Sequence, residues 1–446
     1  MTNPAIAARQ STRAVFASWI GTVMEYYDYA CYGLAASLVF AKIFFPATDP
    51  LVGTLLSLSS FAVGYVARPV GALIFGHFGD RIGRKTVLII TLTLMGVSTF
   101  AIGLLPTYSQ IGVLAPTLLI LARILQGVSA GGEYSGAILM TVEHSERGKR
   151  GFRGSLINTG TTAGLVLANL VFLLVLVLPD EQLMSWGWRL PFLLSGVLVV
   201  VGLVTRLTVE ETPEFTAAKS DGRVRKMPLI ALLQQSGTQV VLVAFGTVAA
   251  GTIFTLSTVF SLTYAKMALG LSSGTMLAVL LPATVVILVF VPVFGWVSDR
   301  VGVRPVFLTG AALLIVLPFV WFALLDTRQY GWMLLGFALL YLGYSANYAV
   351  VPAYFSQVFP PAYRFSGMSI GFTLGVIGGN AFAPAVATAL LDATGGWTAI
   401  AVYAATTAVI SFLAGLFLRE QPAASAADEE SPAIVDHADD QVGARD

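Results

Sequence analysis

Five ionisable side chains fall inside long apolar stretches of this sequence: Glu25, Asp28, Arg68, Arg123 and Glu133. Burying such groups in hydrocarbon is costly, so each is a functional hypothesis by default. Three carboxylates and two guanidinia in low dielectric can exchange protons. A carboxylate beside Arg stays ionised, and one moved away from it takes up a proton. The acids outnumber the bases, so one carboxyl can be neutral at small cost. Glu25, Asp28, Tyr29 and Tyr32 are spaced i, i+3, i+4, i+7 and share one helix face. Arg123, Gly127, Ala130 and Tyr134 share another, where glycine permits close helix approach. At 1.5 Å per residue, Asp28 lies about 20 Å, Arg68 about 18 Å and Glu133 about 15 Å from one membrane face. Arg123 lies one to three turns higher.

Each residue has a structural reading beside the functional one. A buried Asp28–Arg123 pair could simply hold two helices together. Glu25 could be solvated near the interface, and Glu133 could serve helix packing. The planar fork of Arg68 suits a substrate carboxylate, or Arg68 is a permanent partner to Glu25 or Glu133. The opposing half supplies neutral groups. Tyr341, Tyr344 and Tyr348 share a face, with Asn347 beside them. Asn347, Gln357 and Asn380 would be costly against lipid and are expected to line a cavity. With Tyr29 and Arg68 they form the expected substrate site, an aromatic and amide surface facing a charged one. That combination suits a small polar organic acid.

The elements that position these residues follow from composition. The chain has 446 residues, 56% hydrophobic and 11% charged, with a mean hydropathy of +0.81. Soluble domains average about 25% charged, so this is a polytopic membrane protein. Disorder, collagen-like repeats and a disulfide scaffold are excluded, since Cys31 is the only cysteine. Apolar runs of roughly 20 residues recur, the length a helix needs to cross hydrocarbon. Twelve spans are expected: 14–42, 54–78, 86–105, 111–141, 154–178, 187–207, 238–265, 273–297, 305–325, 331–355, 364–391 and 397–418. Continuous runs rather than alternating segments exclude a closed barrel. The first run is too long for a signal peptide and carries Glu25 and Asp28.

Nineteen of the 25 Lys and Arg, Arg206 among them, fall on the side of the N-terminus, which places both termini in the cytoplasm. The expected domains are a cytoplasmic N-terminus over 1–13, six-helix bundles over 14–207 and 238–418, a cytoplasmic linker over 208–237, and an acidic tail over 419–446. The tail has no apolar period and reads as disordered. No basic run suits nucleic acid. No phosphate loop appears, which argues against an ATP-driven pump. His77 and His144 lack a second ligand at metal spacing and read as surface residues. No cofactor or metal is expected, and the chain is not read as an enzyme.

The chain carries an internal repeat. Gly76-His77-Phe78-Gly79-Asp80-Arg81-Ile82-Gly83-Arg84-Lys85 closes span two, and Gly295-Trp296-Val297-Ser298-Asp299-Arg300-Val301-Gly302-Val303-Arg304 closes span eight. Gly187-Trp188 and Gly396-Trp397 open spans six and twelve. Two six-helix halves in parallel are the architecture of alternating-access carriers. Asp80, beside Arg81, Arg84 and Lys85, reads as a charge cluster that latches the halves on the cytoplasmic side, with Gly76 in the same loop, Gly83 allowing a tight turn, and Asp299 and Arg300 as the second copy.

Gly76 to Lys85 resembles the loop 2–3 signature of the major facilitator superfamily. Arg123 to Glu133, Glu25 to Tyr29, Ala67 to Gly71, Trp188 to Phe192 and Glu211 to Phe215 resemble motifs of its metabolite:proton symporter family. Pro106 to Pro116 and Asp180-Glu181-Gln182 look most like the shikimate-transporter branch. The second loop copy departs from the first, with Val303 and Pro305 in place of Arg84 and Thr86. The resemblance implies an all-α membrane carrier of twelve helices in two pseudo-symmetric bundles. It implies proton-coupled symport of a small organic acid, with Asp28 and Arg123 at the positions of a proton-sensitive pair and H+ as coupling ion. A proline- or betaine-type zwitterion symporter, and an uncoupled facilitator or exporter of the same fold, are the alternatives. The expected partners are the substrate and the bilayer, with the chain acting as a monomer.

Overall fold

The structure is a computed structural model and describes residues 4–46, 50–220 and 228–420. Long helices dominate, and the described residues contain no strand. In chain order they are α1 (Pro4–Ala35), α2 (Pro50–Ile82), α3 (Arg84–Leu104), α4 (Leu114–Glu143), α5 (Arg150–Val175) and α6 (Leu190–Leu207), then α7 (Pro228–Thr255), α8 (Ser273–Val301), α9 (Val303–Leu325), α10 (Tyr330–Ala349), α11 (Arg364–Val376) and α12 (Thr398–Phe417). Eleven of these segments are long and apolar enough to cross a membrane. α1 falls short because Glu25, Asp28 and a run of tyrosines break its apolar sequence. Several helices run past the expected span ends. α2, for example, continues to Ile82, and only Gly83 separates it from α3. Gly83 has φ +106, a backbone that L side chains rarely adopt, so this turn is built on glycine.

The helices pack as two equivalent sets. In the first, α1 lies against α5 and α6, α2 against α4, and α3 against α4 and α6. In the second, α7 lies against α11 and α12, α8 against α10, and α9 against α10 and α12. Between the sets the main contacts are α2 with α11 and α5 with α8, which are related by the same exchange of halves. Within the first set α2 and α4 touch backbone to backbone. A Cβ on Gly131 would stand 2.2 Å from the Arg68 carbonyl oxygen, and one on Gly127 would stand 2.2 Å from that of Gly64. Small residues let the backbones approach where no hydrophobic force drives helices together in lipid. This approach brings Arg68 and Arg123 into one layer.

Three helices contain π-helical turns, each adding a residue to the winding. These are Ala36–Phe40 beyond α1, Leu256–Phe260 and Ala265–Leu269 beyond α7, and Ile377–Ala381 beyond α11. α11 then resumes as Ala383–Thr394. The linker differs from a plain tether. It holds a helix at Pro213–Ser220, and residues from Pro228 already belong to α7, which kinks at Ser236. Val209 and Phe215 are buried, which is why this segment packs on the bundles. The acidic tail beyond Glu420 lies outside the described residues.

Candidate functional site

All five ionisable residues singled out above are at least 94% buried. They do not form one cluster. Glu25 on α1 pairs with Arg68 on α2, Nη2 to Oε1 at 3.0 Å. Arg68 also donates through Nε to the Tyr29 hydroxyl at 3.0 Å. Its fork is therefore engaged, and the expectation of a free anchor is corrected. Arg68 is a counter-ion to Glu25 in this conformation. Glu25 Oε2 has no partner among the described residues.

Asp28 does not meet Arg123 directly. Among the described residues no cation lies within ion-pair distance of it. Its Oδ2 accepts from the Thr99 hydroxyl of α3 at 2.6 Å. Gln126 on α4 donates to the same Thr99 oxygen at 2.6 Å, and Arg123 donates to Gln126 Oε1 at 3.0 Å. The acid and the base are thus joined through two neutral side chains. Arg123 is held instead by aromatic faces, with its Cζ 4.3 Å from the ring centres of both Tyr29 and Tyr32. Such contacts stabilise a desolvated cation. The Tyr29 ring carries the Arg68 guanidinium at 4.3 Å as well, so this residue ties both cations together rather than facing an open site.

Glu133 has a partner the sequence reading placed elsewhere. Arg206, assigned to the cytoplasmic loops, is only 3% exposed. It makes a bidentate pair with Glu133, whose Oε2 also accepts from Thr91 at 2.6 Å. Gly21 on α1 leaves the room for this, since a Cβ there would lie 2.0 Å from Arg206 Nη2. Position alone hid this pair. Arg206 sits in the last turn of α6, where basic residues normally snorkel to the interface.

Between the two sets lies a narrow cavity. Tyr26 and Thr161 line it from one side, and Phe254, Tyr344, Tyr348, Phe372 and Asn380 from the other. Asn380, in the π-turn of α11, has no partner for its Oδ1 among the described residues. No charged side chain lines this space. Tyr344, Tyr348 and Asn380 are therefore at the cavity as expected, and Asn347 and Gln357 are not. Asn347 is fully buried against α9, donating to the Phe307 carbonyl. Gln357 ends a short helical turn at the far end of α10 and donates to the Ala353 carbonyl at 2.7 Å. Each amide donates to a backbone carbonyl instead of a cavity, and Asn347 Oδ1 has no partner among the described residues. Beside the cavity the halves touch: Tyr134 stacks on Phe372 at 4.2 Å, and Asn158 donates to the Tyr348 carbonyl at 2.6 Å.

The repeated loop signature closes the end of the molecule where α2 meets α3. Asp80 accepts from the backbone amides of Phe365 and Ser366 at 3.0 and 2.9 Å, and from the Ser366 hydroxyl at 2.8 Å. Asp299 accepts from the amides of Gly151 and Phe152 at 2.7 and 2.9 Å. Each carboxylate thus caps the first turn of a helix in the other half, where amides lack intrahelical partners and the dipole favours negative charge. The expected charge cluster is corrected accordingly. Arg84 supports Asp80 at 3.7 Å, but the other basic residues stay within their own half. Arg81 faces His77, Lys85 donates to the Leu207 carbonyl at 3.2 Å, and Arg300 lies over Trp296 at 3.3 Å. Gly76 and Gly79 face α11; a Cβ on Gly79 would meet the Phe365 ring at 2.4 Å.

The linker adds a network that no spacing announced. Glu211 accepts from the amides of Arg84 and Lys85 at 3.0 and 3.1 Å, capping α3. Glu214 bridges Arg150 at the start of α5 and Arg364 at the start of α11. Burial pushes the Glu214 carboxyl up, but Arg364 and Arg150 outweigh it and hold the group below its usual value. Glu143 takes Arg364 at 3.3 Å and Arg84 at 3.5 Å.

Two parallel six-helix sets around a central cavity, closed at one end by reciprocal caps, define a membrane carrier. Family comparison agrees. Residues 14–236 match the sugar (and other) transporter model, and residues 283–436 match the major facilitator superfamily model. The inner membrane metabolite transport protein YhjE of Escherichia coli (strain K12) is 40% identical over 92% of this chain and 94% of its own length. The shikimate transporter of the same organism is 35% identical over 93% of this chain and 96% of its own. Among solved structures, the proton:xylose symporter XylE bound to 6-bromo-6-deoxy-D-glucose superposes with a TM-score of 0.74 at 16% identity, covering 93% and 97% of the two chains. The chain belongs to the major facilitator superfamily, among its metabolite transporters, and is a transporter rather than an enzyme.

Proposed function

We propose that this protein carries a small organic carboxylate and a proton together across the cytoplasmic membrane by alternating access. The observation that carries this reading is Asp28: a buried carboxyl whose close partner is a neutral hydroxyl, with Arg123 held nearby on aromatic faces. Such a carboxyl can be charged or neutral without breaking an ion pair. Glu25 and Glu133 are the further proton-handling groups of the reading. The shikimate transporter among the relatives supports an acidic substrate. Arg68 remains the guanidinium suited to a carboxylate, and it accepts one when Glu25 is protonated and releases the fork. Tyr344, Tyr348 and Asn380 complete the substrate contacts. Asp80 and Asp299 serve as cytoplasmic latches, with both termini on that side as the basic residues indicate. The protein acts as a monomer and needs no cofactor beyond the coupling ion.

A second reading has its own support. The cavity presents five aromatic rings, from Tyr26, Phe254, Tyr344, Tyr348 and Phe372, and no cation. Aromatic faces attract organic cations, so an ammonium-bearing zwitterion of the proline or betaine kind fits this space. One experiment separates the readings. Purified protein in liposomes is given labelled carboxylates and zwitterions under an imposed inward pH gradient. Accumulation of a carboxylate that ends when the gradient is collapsed supports the first. Uptake restricted to zwitterions supports the second, and uptake indifferent to the gradient removes the coupling.

A further inference from the structure

We propose that the Thr99 hydroxyl is a switch that turns with the protonation of Asp28, held in place by Gln126 on the path to Arg123. The inference rests on the proton-coupled reading above, and it assigns positioning roles to two residues outside the expected site. Its basis is donor and acceptor accounting. Arg123 can only donate, so Gln126 must turn Oε1 towards it, and the 3.0 Å contact is that bond. This fixes the amide, and Gln126 Nε2 then points at Thr99 Oγ1 at 2.6 Å. The Thr99 oxygen accepts this bond and has one hydrogen of its own. Two acceptors compete for that hydrogen: Asp28 Oδ2 at 2.6 Å and the Met95 carbonyl at 3.0 Å.

The two protonation states use these acceptors differently. When Asp28 is ionised, Thr99 donates to Oδ2, and the chain of bonds runs unbroken from Arg123 to the carboxylate. When a proton binds Oδ2, the new acid O–H donates to Thr99 Oγ1, which has a second lone pair free. The Thr99 hydrogen then turns to the Met95 carbonyl. One proton is gained at Asp28, no other proton changes owner, and no heavy atom needs to move. The Asp28 carboxyl, the Thr99 hydroxyl and the Gln126 amide each keep a partner in both states, which matters because an unpaired buried group is costly. The charged and titratable groups that face Asp28 are Arg123 from α4 and Glu25, Tyr27 and Cys31 from its own helix. α3 contributes Thr99 and no ionisable group to this contact.

Thr99→Val keeps the shape and removes both the donor and the acceptor. The ionised form of Asp28 loses a charge-assisted bond. A bond to a charged group is roughly twice as strong as a neutral one. The neutral acid loses only an ordinary hydrogen bond, so the midpoint of Asp28 protonation moves upward by the difference, about one pH unit. Thr99→Ser restores a hydroxyl and returns the midpoint towards wild type. The measurement is infrared difference titration of purified protein, reading the carboxylic acid band that Asp28→Asn abolishes, beside gradient-driven uptake in liposomes. A midpoint that rises in Thr99→Val and returns in Thr99→Ser supports the switch. A midpoint equal in wild type and Thr99→Val overturns it, whatever happens to the rate. Titration without any gradient-driven uptake in wild type would instead count against proton coupling and leave the switch standing as a property of the buried carboxyl. If Thr99→Val fails to fold, Gln126→Met tests the same path. It cuts the link between Arg123 and Thr99, and an unmoved midpoint there also overturns the proposal.

Discussion

Asp80 and Asp299 hold equivalent places in the two halves, and each caps a helix that belongs to the other: Asp80 the start of α11, Asp299 the start of α5. The closed end is therefore made twice, by one interaction applied in both directions. An opening at that end would have to break both sets of bonds.

Replacing Asp80 by Ala should lower the turnover rate and leave the ranking of substrates unchanged. Three hydrogen bonds to a carboxylate disappear, each of a kind worth about 1.5–3 kcal/mol, and the cavity lies elsewhere. Asp299→Ala, which loses two, should have a smaller effect of the same kind. Competition by a fixed panel of unlabelled metabolites checks this, and a reordered panel would show that the site reaches the loop.

Asp28→Asn should abolish accumulation against a gradient and leave substrate exchange partly intact. The amide keeps the shape beside Thr99 but cannot take up a proton. Counterflow and gradient-driven uptake, measured on the same vesicles, distinguish the two activities. Full accumulation by the variant would remove Asp28 from the coupling.

Arg68→Leu alone should be strongly destabilising, by about 3–5 kcal/mol, because it leaves Glu25 buried without its cation. Glu25→Leu combined with Arg68→Leu should recover most of that loss while transport stays absent. Thermal unfolding in detergent reads the first effect and liposome uptake the second. Transport by the double variant would make the pair purely structural.

Glu214 ties the start of α5 to that of α11 through two arginines. Its carboxyl titrates below the ordinary Glu range, so its contribution to stability is complete above that range. It is lost as pH falls through the lowered value. Glu214→Gln should therefore be less stable than wild type at neutral pH, and the two should converge in acid. Melting curves across pH provide the check; a gap that persists in acid would assign the effect to packing.

Much of the architecture was legible because hydrocarbon imposes a coarse rule: roughly 20 apolar residues for each crossing. The repeat was equally plain, since Asp80 and Asp299 sit in matching decapeptides. The partners of buried charges were not legible. Glu133 finds Arg206 because Gly21, on a third helix, leaves space for it, and no spacing along one helix encodes that. Asn347 and Gln357 looked like cavity residues because amides avoid lipid. A backbone acceptor can meet part of the same requirement, as the Phe307 and Ala353 carbonyls do, and sequence cannot separate the two outcomes. The partners of the linker acids were not legible because Glu211 and Glu214 act on helix ends far away in the chain.

Asn380 reaches the cavity from inside a π-turn, Ile377–Ala381. The extra residue in such a turn changes helical phase by about 100°, since an α-helix turns once in 3.6 residues. Deleting one residue there would restore regular winding and swing everything beyond it around the helix axis. Asn380 would leave the cavity, and the lipid-facing side of Ala383–Thr394 would turn inward. This stretch of α11 should therefore tolerate substitution far better than any change in length, and natural variants with a shorter segment would have to rebuild the cavity wall.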